Sequence, residues 1–425
     1  MRAVFETLNG YREAGYQVHL VTLAKRAEQM TAHRGLHLHG FHLPLVPPGV
    51  DYGPLRSLFS YPLGIMRFPG LAYVADKLLW AQFLLAGTRK ALRVAREVKP
   101  DLIYGVTCYG VPVAWAVARH MHLPNLSRML GTFLYPRLLP ASSPLRWLKL
   151  RLRLLLSFPE VLAFKLPARL LIISNDGTRG AWVAERLGVP ARQVRCWIDG
   201  LVPYLAPSAS VEETRARFGF KPEDKVVLAV CQLVLWKRVD RLIDAFALAL
   251  KQVPEARLLV IGDGRERAAL ERHAAARTPA GAVVFAGAVA HSEVMDCLAA
   301  TDVYASAHDL TNACNTLFEA MRAGCPIVTI RNGDTDSFIE NAVNGVLVDD
   351  TSPASFAAAL VPVLQQPELR RKLGEGARQS AQRLLPSWHD RMQREVREVE
   401  AQCLLPVVPQ PVSESAVTPV SGKES

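Results

Sequence analysis

The chain has 425 residues, half of them hydrophobic, with a formal net charge of +11 and seven cysteines. That length and apolar share suit two domains with cores of their own and exclude a disordered or fibrous protein. The charge admits an anionic partner, but no zinc pattern, RNP sequence or base-reading arginine helix supports nucleic acid, and no apolar run stays free of charge long enough to span a bilayer.

Residues 5–16 read as a helix ending near Gly15, and 18–23 as a strand. His37, His39 and His42, with His120 and His122, make short His-x-His patterns that have no Cys or carboxylate set nearby. Alternating strand faces or helix surfaces explain them better than a metal site. Between Arg128 and Arg169 the cations Arg137, Arg146, Lys149, Arg151, Arg153 and Lys165 share a stretch whose only carboxylate is Glu160, interleaved with Trp147, Leu148, Leu150, Leu152 and the leucines 154–156. On a helix starting near Pro144, Arg146, Lys149 and Arg153 share one face while Arg151 points elsewhere. Basic plus apolar suits peripheral contact with a membrane surface through residues 144–156, or a helix packed on its own domain.

From residue 226 onward strands and helices alternate, as a parallel α/β sheet requires. The segment 226–230 reads as a strand, 257–264 as a strand closing on Gly262-Asp-Gly264, and 282–287 and 302–306 as two more strands. The third glycine of a dinucleotide fingerprint would fall at Arg267, so NAD binding is not supported. Then comes Asp309-Leu-Thr-Asn312-Ala-Cys-Asn315-Thr316-Leu-Phe-Glu319-Ala-Met, ending in Gly324-Cys-Pro326 before an apolar strand at 327–330. Asn312 and Asn315 are candidate N-caps, Leu317, Phe318 and Met321 form an apolar helical face, and the helix start offers backbone amides to an anion beside Glu319. No cysteine pair has close spacing, and no secretory leader is recognised, so a reduced cytosolic compartment without disulfides is expected. The tail from residue 404, rich in Pro, Val and Ser, reads as disordered.

The helix with Glu319-Ala-Met and Gly324-x-Pro326 resembles the nucleotide-binding signature of the family-4 glycosyltransferases of the GT-B fold (glycosyl transferases group 1). The resemblance continues through Gln232 to Phe246, the glycine turn, and the strand at 282–287. It implies two Rossmann-like parallel-sheet domains facing a cleft: an acceptor-side domain at 1–205, a nucleotide-sugar domain at 206–385, a helix at 386–402 crossing back to the first domain, and a disordered tail at 403–425. It also implies that the first strand of the N-terminal domain, with its glycine-rich loop, is missing ahead of the helix at 5–16.

By the same resemblance Glu319 receives the ribose hydroxyls and Lys237 the donor phosphates, these two carrying catalysis. Arg238 fits either a second phosphate contact or a surface cation. Gly262, Gly264, Asp309, Asn312, Asn315, Thr316, Gly333, Asp334 and Thr335 line the donor site, and Arg128 and Thr132 suit either the acceptor side or a buried strand end. The expected reaction is a retaining, metal-independent transfer from a nucleotide sugar, with UDP as nucleotide, to a glycan or lipid-linked glycan in cell-surface polysaccharide synthesis. No cofactor is implied, and the place is the cytoplasm or the inner face of the cell membrane. Asp334-Thr335-Asp336 resembles the Asp-x-Asp of metal-dependent GT-A enzymes, but its position after the strand at 327–330 matches a GT-B donor loop instead. Several positions depart from the pattern: Thr311 stands where a sugar-contacting Glu is usual, Gln232 where Arg is common, Cys314 where a subgroup has Gly, Val202 where Asp follows the Asn-Gly turn, and Leu130 near a frequent cleft His. These departures suit the alternative of a catalytically inactive GT-B scaffold that binds nucleotide or glycan.

Overall fold

A computed structural model describes residues 2–30, 35–44, 69–140, 142–201 and 206–404. In the N-terminal half, β1 (His19–Leu23) pairs in parallel with β2 (His37–Phe41). A separate parallel sheet has the order β3-β4-β5-β6, built from β3 (Ile103–Val106), β4 (Asn125–Met129), β5 (Leu170–Ser174) and β6 (Val194–Trp197). Among the described residues no ladder joins β1 to β3. The side chains of β1 are accordingly half-buried along its length, whereas β5, inside its sheet, is buried throughout.

The His-x-His pattern at 37–39 lies on β2, where both rings share a face with His19 of β1: the His19 and His37 rings stack at 4.4 Å, and His19 Nδ1 lies 3.0 Å from His39 Nε2. Among the described residues no group of three or more His, Cys, Asp or Glu is placed to hold a metal ion, and no disulfide forms. A 30-residue helix, Pro69–Val98, packs along the helix Thr107–Met121; its apolar residues are spread too evenly for periodicity to reveal it. Lys99 in the left-handed region (φ 49°) and Pro100 end it.

The C-terminal half holds one six-stranded parallel sheet, with β7 (Lys225–Val230), β8 (Ala256–Ile261), β9 (Val283–Gly287), β10 (Val303–Ser306), β11 (Ile327–Ile330) and β12 (Val346–Val348) in the order β12-β11-β10-β7-β8-β9. Alternation along β7 sends Val227 and Ala229 to one face, against Ile243, Phe246 and Phe356 of the helices Val239–Leu250 and Pro353–Gln365. Val226 and Leu228 go to the other, against Met295, Leu317, Met321 and Ala377 of the helices His291–Ala299, Asn315–Ala323 and Pro367–Leu384. Both faces are thus covered, which is why the strands read as continuous apolar runs.

The chain then returns: Leu201 N–H donates to Pro386 O at 2.9 Å, and the helix Trp388–Val399 lies against the helix Arg2–Glu13 and β4 to β6 of the first half. A Cβ at Gly10 would fall 2.4 Å from Met392 Cγ, so these two helices touch where only a glycine fits. Residues 405–425 of the expected tail, and 202–205 at the expected domain boundary, lie outside the described residues.

Candidate active site

In the larger sheet the chain runs outward from β7 through β8 to β9, then crosses back to β10 on the other side of β7. The carboxyl ends of β7 and β10 therefore flank a topological switch point, where open α/β sheets form their ligand crevice. The helix Asn315–Ala323 starts over this point: Thr316 Oγ1 donates to Val230 O of β7 (3.2 Å) and meets Tyr304 Oη of β10 (3.0 Å). Its N-cap is Cys314, in extended backbone and without a capping side chain, and Gly324 (φ 71°) ends it. The first amides of the helix carry no side-chain cap, which is the arrangement that receives an anion.

The expected caps are a correction. Asn312 is fully buried, accepting from His308 N–H (3.1 Å) and donating to Ile330 O (3.2 Å) and Asn332 Oδ1 (2.9 Å). Thr335 is buried with it and accepts from Asn312 N–H. Both side chains brace the loops after β10 and β11 against each other, and the N-cap position expected of Asn312 is taken by Cys314. Asn315 is exposed in the first turn without capping it.

Lys237 ends the short 3-10 turn Leu235–Lys237 with its Nζ 4.0 Å from the Trp236 ring centre and 3.3 Å from His308 Nδ1. Burial, with Lys237 adding to it, holds His308 well below the ordinary imidazole range, so the ring is neutral; its Nδ1 also lies 3.2 Å from Thr311 O, and the tautomer decides whether it donates there or accepts from the ammonium. Among the described residues no carboxylate pairs with Lys237, and its charge stays available to an anion. Arg238 differs. It donates to Asp240 Oδ1 (3.0 Å) and reaches Asp309 Oδ1 (3.4 Å), which Arg241 Nη2 also holds at 2.7 Å. Asp309 is thereby clamped between two guanidiniums, and Arg238 is committed to two carboxylates.

Gly262 and Gly264 serve backbone contact. A Cβ would fall 1.9 Å from Cys231 O at Gly262 and 2.2 Å from Leu233 O at Gly264, so the turns after β7 and β8 pack directly on each other. Glu319, one turn into its helix, accepts from His291 Nε2 at 2.8 Å. His291 opens the helix after β9, and nothing local in the sequence pairs it with Glu319.

The loop after β11 faces the N-terminal half. Arg179 Nε donates to Gly333 O (2.8 Å) and lies 3.2 Å from Asp334 Oδ1, while Asp334 N–H donates to Gly177 O (2.8 Å). Burial raises the Asp334 carboxyl, against the opposing pull of Arg179. Thr311 donates to Asp176 O across the same junction (3.1 Å), so its hydroxyl ties the two halves together. The Asp176 carboxyl is pushed up to about 6 by burial, although Thr178 favours its charge.

Of the two readings open for Arg128 and Thr132, the burial of both side chains fits the strand end. Arg128 is fully buried and bonded to Thr7, Asp199 (2.7 Å) and Glu395 (3.4 Å), because its strand faces the returning helix instead of the cleft. Burial works against its charge, but Tyr104, Glu395 and Asp199 outweigh that and raise its pKa. Thr132 is also buried, its hydroxyl donating to Glu160 Oε1 (2.7 Å) and its N–H to Thr178 Oγ1 (2.9 Å).

Residues 210–380 match the family described as glycosyl transferases group 1. Among curated proteins the chain is similar to the alpha-monoglucosyldiacylglycerol synthase of Acholeplasma laidlawii, 22% identical over 76% of this chain and 81% of that one. It is also similar to the lipopolysaccharide core biosynthesis glycosyltransferase LpsE of Rhizobium meliloti, 28% identical over 67% of this chain and 72% of that one. Among solved structures, HepE of Anabaena in complex with UDP and glucose superposes with a TM-score of 0.68 at 18% identity, covering 94% of this chain and 95% of that one, a likeness of fold.

Proposed function

For a glycosyltransferase of the GT-B fold whose residues 210–380 belong to the glycosyl transferases group 1, we propose a retaining transfer from a UDP-sugar to a lipid-linked acceptor at a membrane surface. The donor diphosphate lies between Lys237 and the uncapped start of the helix Asn315–Ala323, with the ribose against Glu319. As the bond from the anomeric carbon to the diphosphate oxygen breaks, Lys237 and those amides stabilise the departing charge. The acceptor hydroxyl adds to the same face of the sugar and gives its proton to the leaving phosphate. No divalent cation enters this scheme. The UDP complex of HepE supports the choice of nucleotide, and the name of the Acholeplasma relative supports a lipid acceptor.

The observation that carries the membrane reading is the helix Pro144–Leu156, which buries none of its residues. Leu145, Leu148, Leu152 and Leu155 are exposed, Leu145 to 77% and Leu155 to 68%, and their spacing aligns them on one outward stripe. The less exposed Leu150 and Leu154 face the other way, so it is the apolar face that points outward. Arg146, Lys149 and Arg153 flank the stripe on one side, and Arg151, over the Trp147 ring at 5.3 Å, flanks it on the other. Exposed Val74, Leu78 and Leu85 form a second stripe on the helix Pro69–Val98, which Tyr73 ties to Leu156 O at 3.2 Å.

Leucines immersed between flanking cations suit an anionic interface, each cation contributing about 1 kcal/mol. Among the described residues no helix is long and apolar enough to cross a membrane, so the contact proposed is peripheral, on the cytoplasmic face. Co-sedimentation with phosphatidylglycerol vesicles tests it. The wild-type chain is expected to bind, and exchanging Arg146, Lys149 and Arg153 for Glu, or Leu148 and Leu152 for Ser, is expected to release it. Negligible binding, or binding indifferent to both changes, would refute a membrane acceptor surface here.

A further inference from the structure

His291 and Glu319 lie 28 positions apart in sequence, yet His291 Nε2 and Glu319 Oε1 are 2.8 Å apart. A carboxylate only accepts, so Nε2 carries the proton and donates. The two side chains come from different units of the sheet: His291 from the first turn after β9, Glu319 from the helix above the switch point. The Glu319 side chain is 11% exposed and that of His291 33%, so the pair forms a wall whose open side is the imidazole. An isolated glutamate in a helix has three side-chain torsions to settle, and this bond settles them by tying one oxygen to a neighbouring element.

We propose that His291 is a positioning residue for the donor: it holds Glu319 by Oε1 so that Oε2 and the remaining lone pairs face the ribose hydroxyls. A carboxylate offers about four acceptor sites, so His291 occupies one and leaves enough for two hydroxyls. The inference rests on Glu319 being the ribose acceptor, as proposed above. It assigns to the segment after β9 a part in nucleotide recognition through a side chain. Its consequence is selective: the contribution of His291 exists only for nucleotides that carry the ribose hydroxyls.

Calorimetric titration of the whole chain with UDP and with 2′,3′-dideoxy-UDP separates the two assignments, GDP or ADP and their dideoxy forms replacing these where the wild-type chain binds them more tightly. Glu319→Ala is expected to weaken UDP binding and leave dideoxy-UDP unaffected. His291→Ala is expected to weaken UDP by about threefold to tenfold, the value of one hydrogen bond held in place, with no change for dideoxy-UDP. His291→Gln, which keeps an N–H donor, is expected to recover most of the loss. If Glu319→Ala binds UDP like the wild type, the ribose assignment of Glu319 fails. If Glu319→Ala weakens UDP while His291→Ala does not, or if His291→Ala weakens both ligands equally, the positioning role of His291 is overturned.

Discussion

The two halves of the molecule solve the same architectural problem with different materials. In the C-terminal half six parallel strands form one uninterrupted sheet, covered on both faces by apolar helices, and the loops of the crevice hang from a continuous hydrogen-bonded ladder. In the N-terminal half the strands fall into a pair and a set of four, with no ladder between β1 and β3 among the described residues. There the tie is made by polar side chains. Glu395, fully buried on the returning helix, accepts from Tyr104 Oη (2.8 Å) and Tyr11 Oη (3.2 Å) and pairs with Arg391 (2.7 Å) and Arg128 (3.4 Å). Burial first, then Glu395, pushes both phenols far above their ordinary range, so they stay protonated donors. Each half is therefore fragile in its own way: a ladder distributes its stability over many amides, whereas a buried ionic cluster concentrates it in a few groups.

The largest expected effect tests that contrast. Glu395→Ala leaves the buried Arg391 guanidinium, stacked 4.5 Å from the Trp197 ring, without its carboxylate, and Arg128 with Asp199 as its one remaining carboxylate. The expected cost is about 3–5 kcal/mol, seen in urea unfolding as an early transition of the N-terminal half while the C-terminal half keeps its midpoint. A single unshifted transition would erase the contrast between the halves.

A somewhat smaller effect sharpens it from the side of chemistry. Lys237→Ala is expected to lower kcat by about 100-fold to 1000-fold, as removal of one preorganised group at a departing oxyanion does, with nucleoside binding little changed. Wild-type turnover is expected to survive EDTA. Equal losses for nucleoside and nucleoside diphosphate, or activity lost to EDTA and restored by manganese, would move the charge stabilisation away from Lys237.

Much of the C-terminal half was legible because its signals are local. The helix at 315–323 announces itself by an apolar face and by Gly324 and Pro326 behind it, and the strand alternation of β7 follows directly from its residues. What the sequence does not show depends on partners distant in the chain. Asn312 looks like a cap, yet its side chain is taken by Ile330 and Asn332 of the next loop. For Arg128 the sequence leaves acceptor side and buried strand end open, because its partner Glu395 lies 267 positions away. The helix Pro144–Leu156 was legible as basic and apolar, but periodicity alone does not say which face turns outward, and packing put the leucines there. Nor does any local signal join His291 to Glu319.

If the continuous sheet of the C-terminal half holds the donor, hydrogen exchange of the whole chain with and without UDP will register it there. Protection on adding UDP is expected in the turns at 231–237 and 262–264 and at the helix start around 314–319, with β1 to β6 exchanging as before. Protection concentrated in the N-terminal strands and their loops, with those three segments unchanged, would place the donor in the other half.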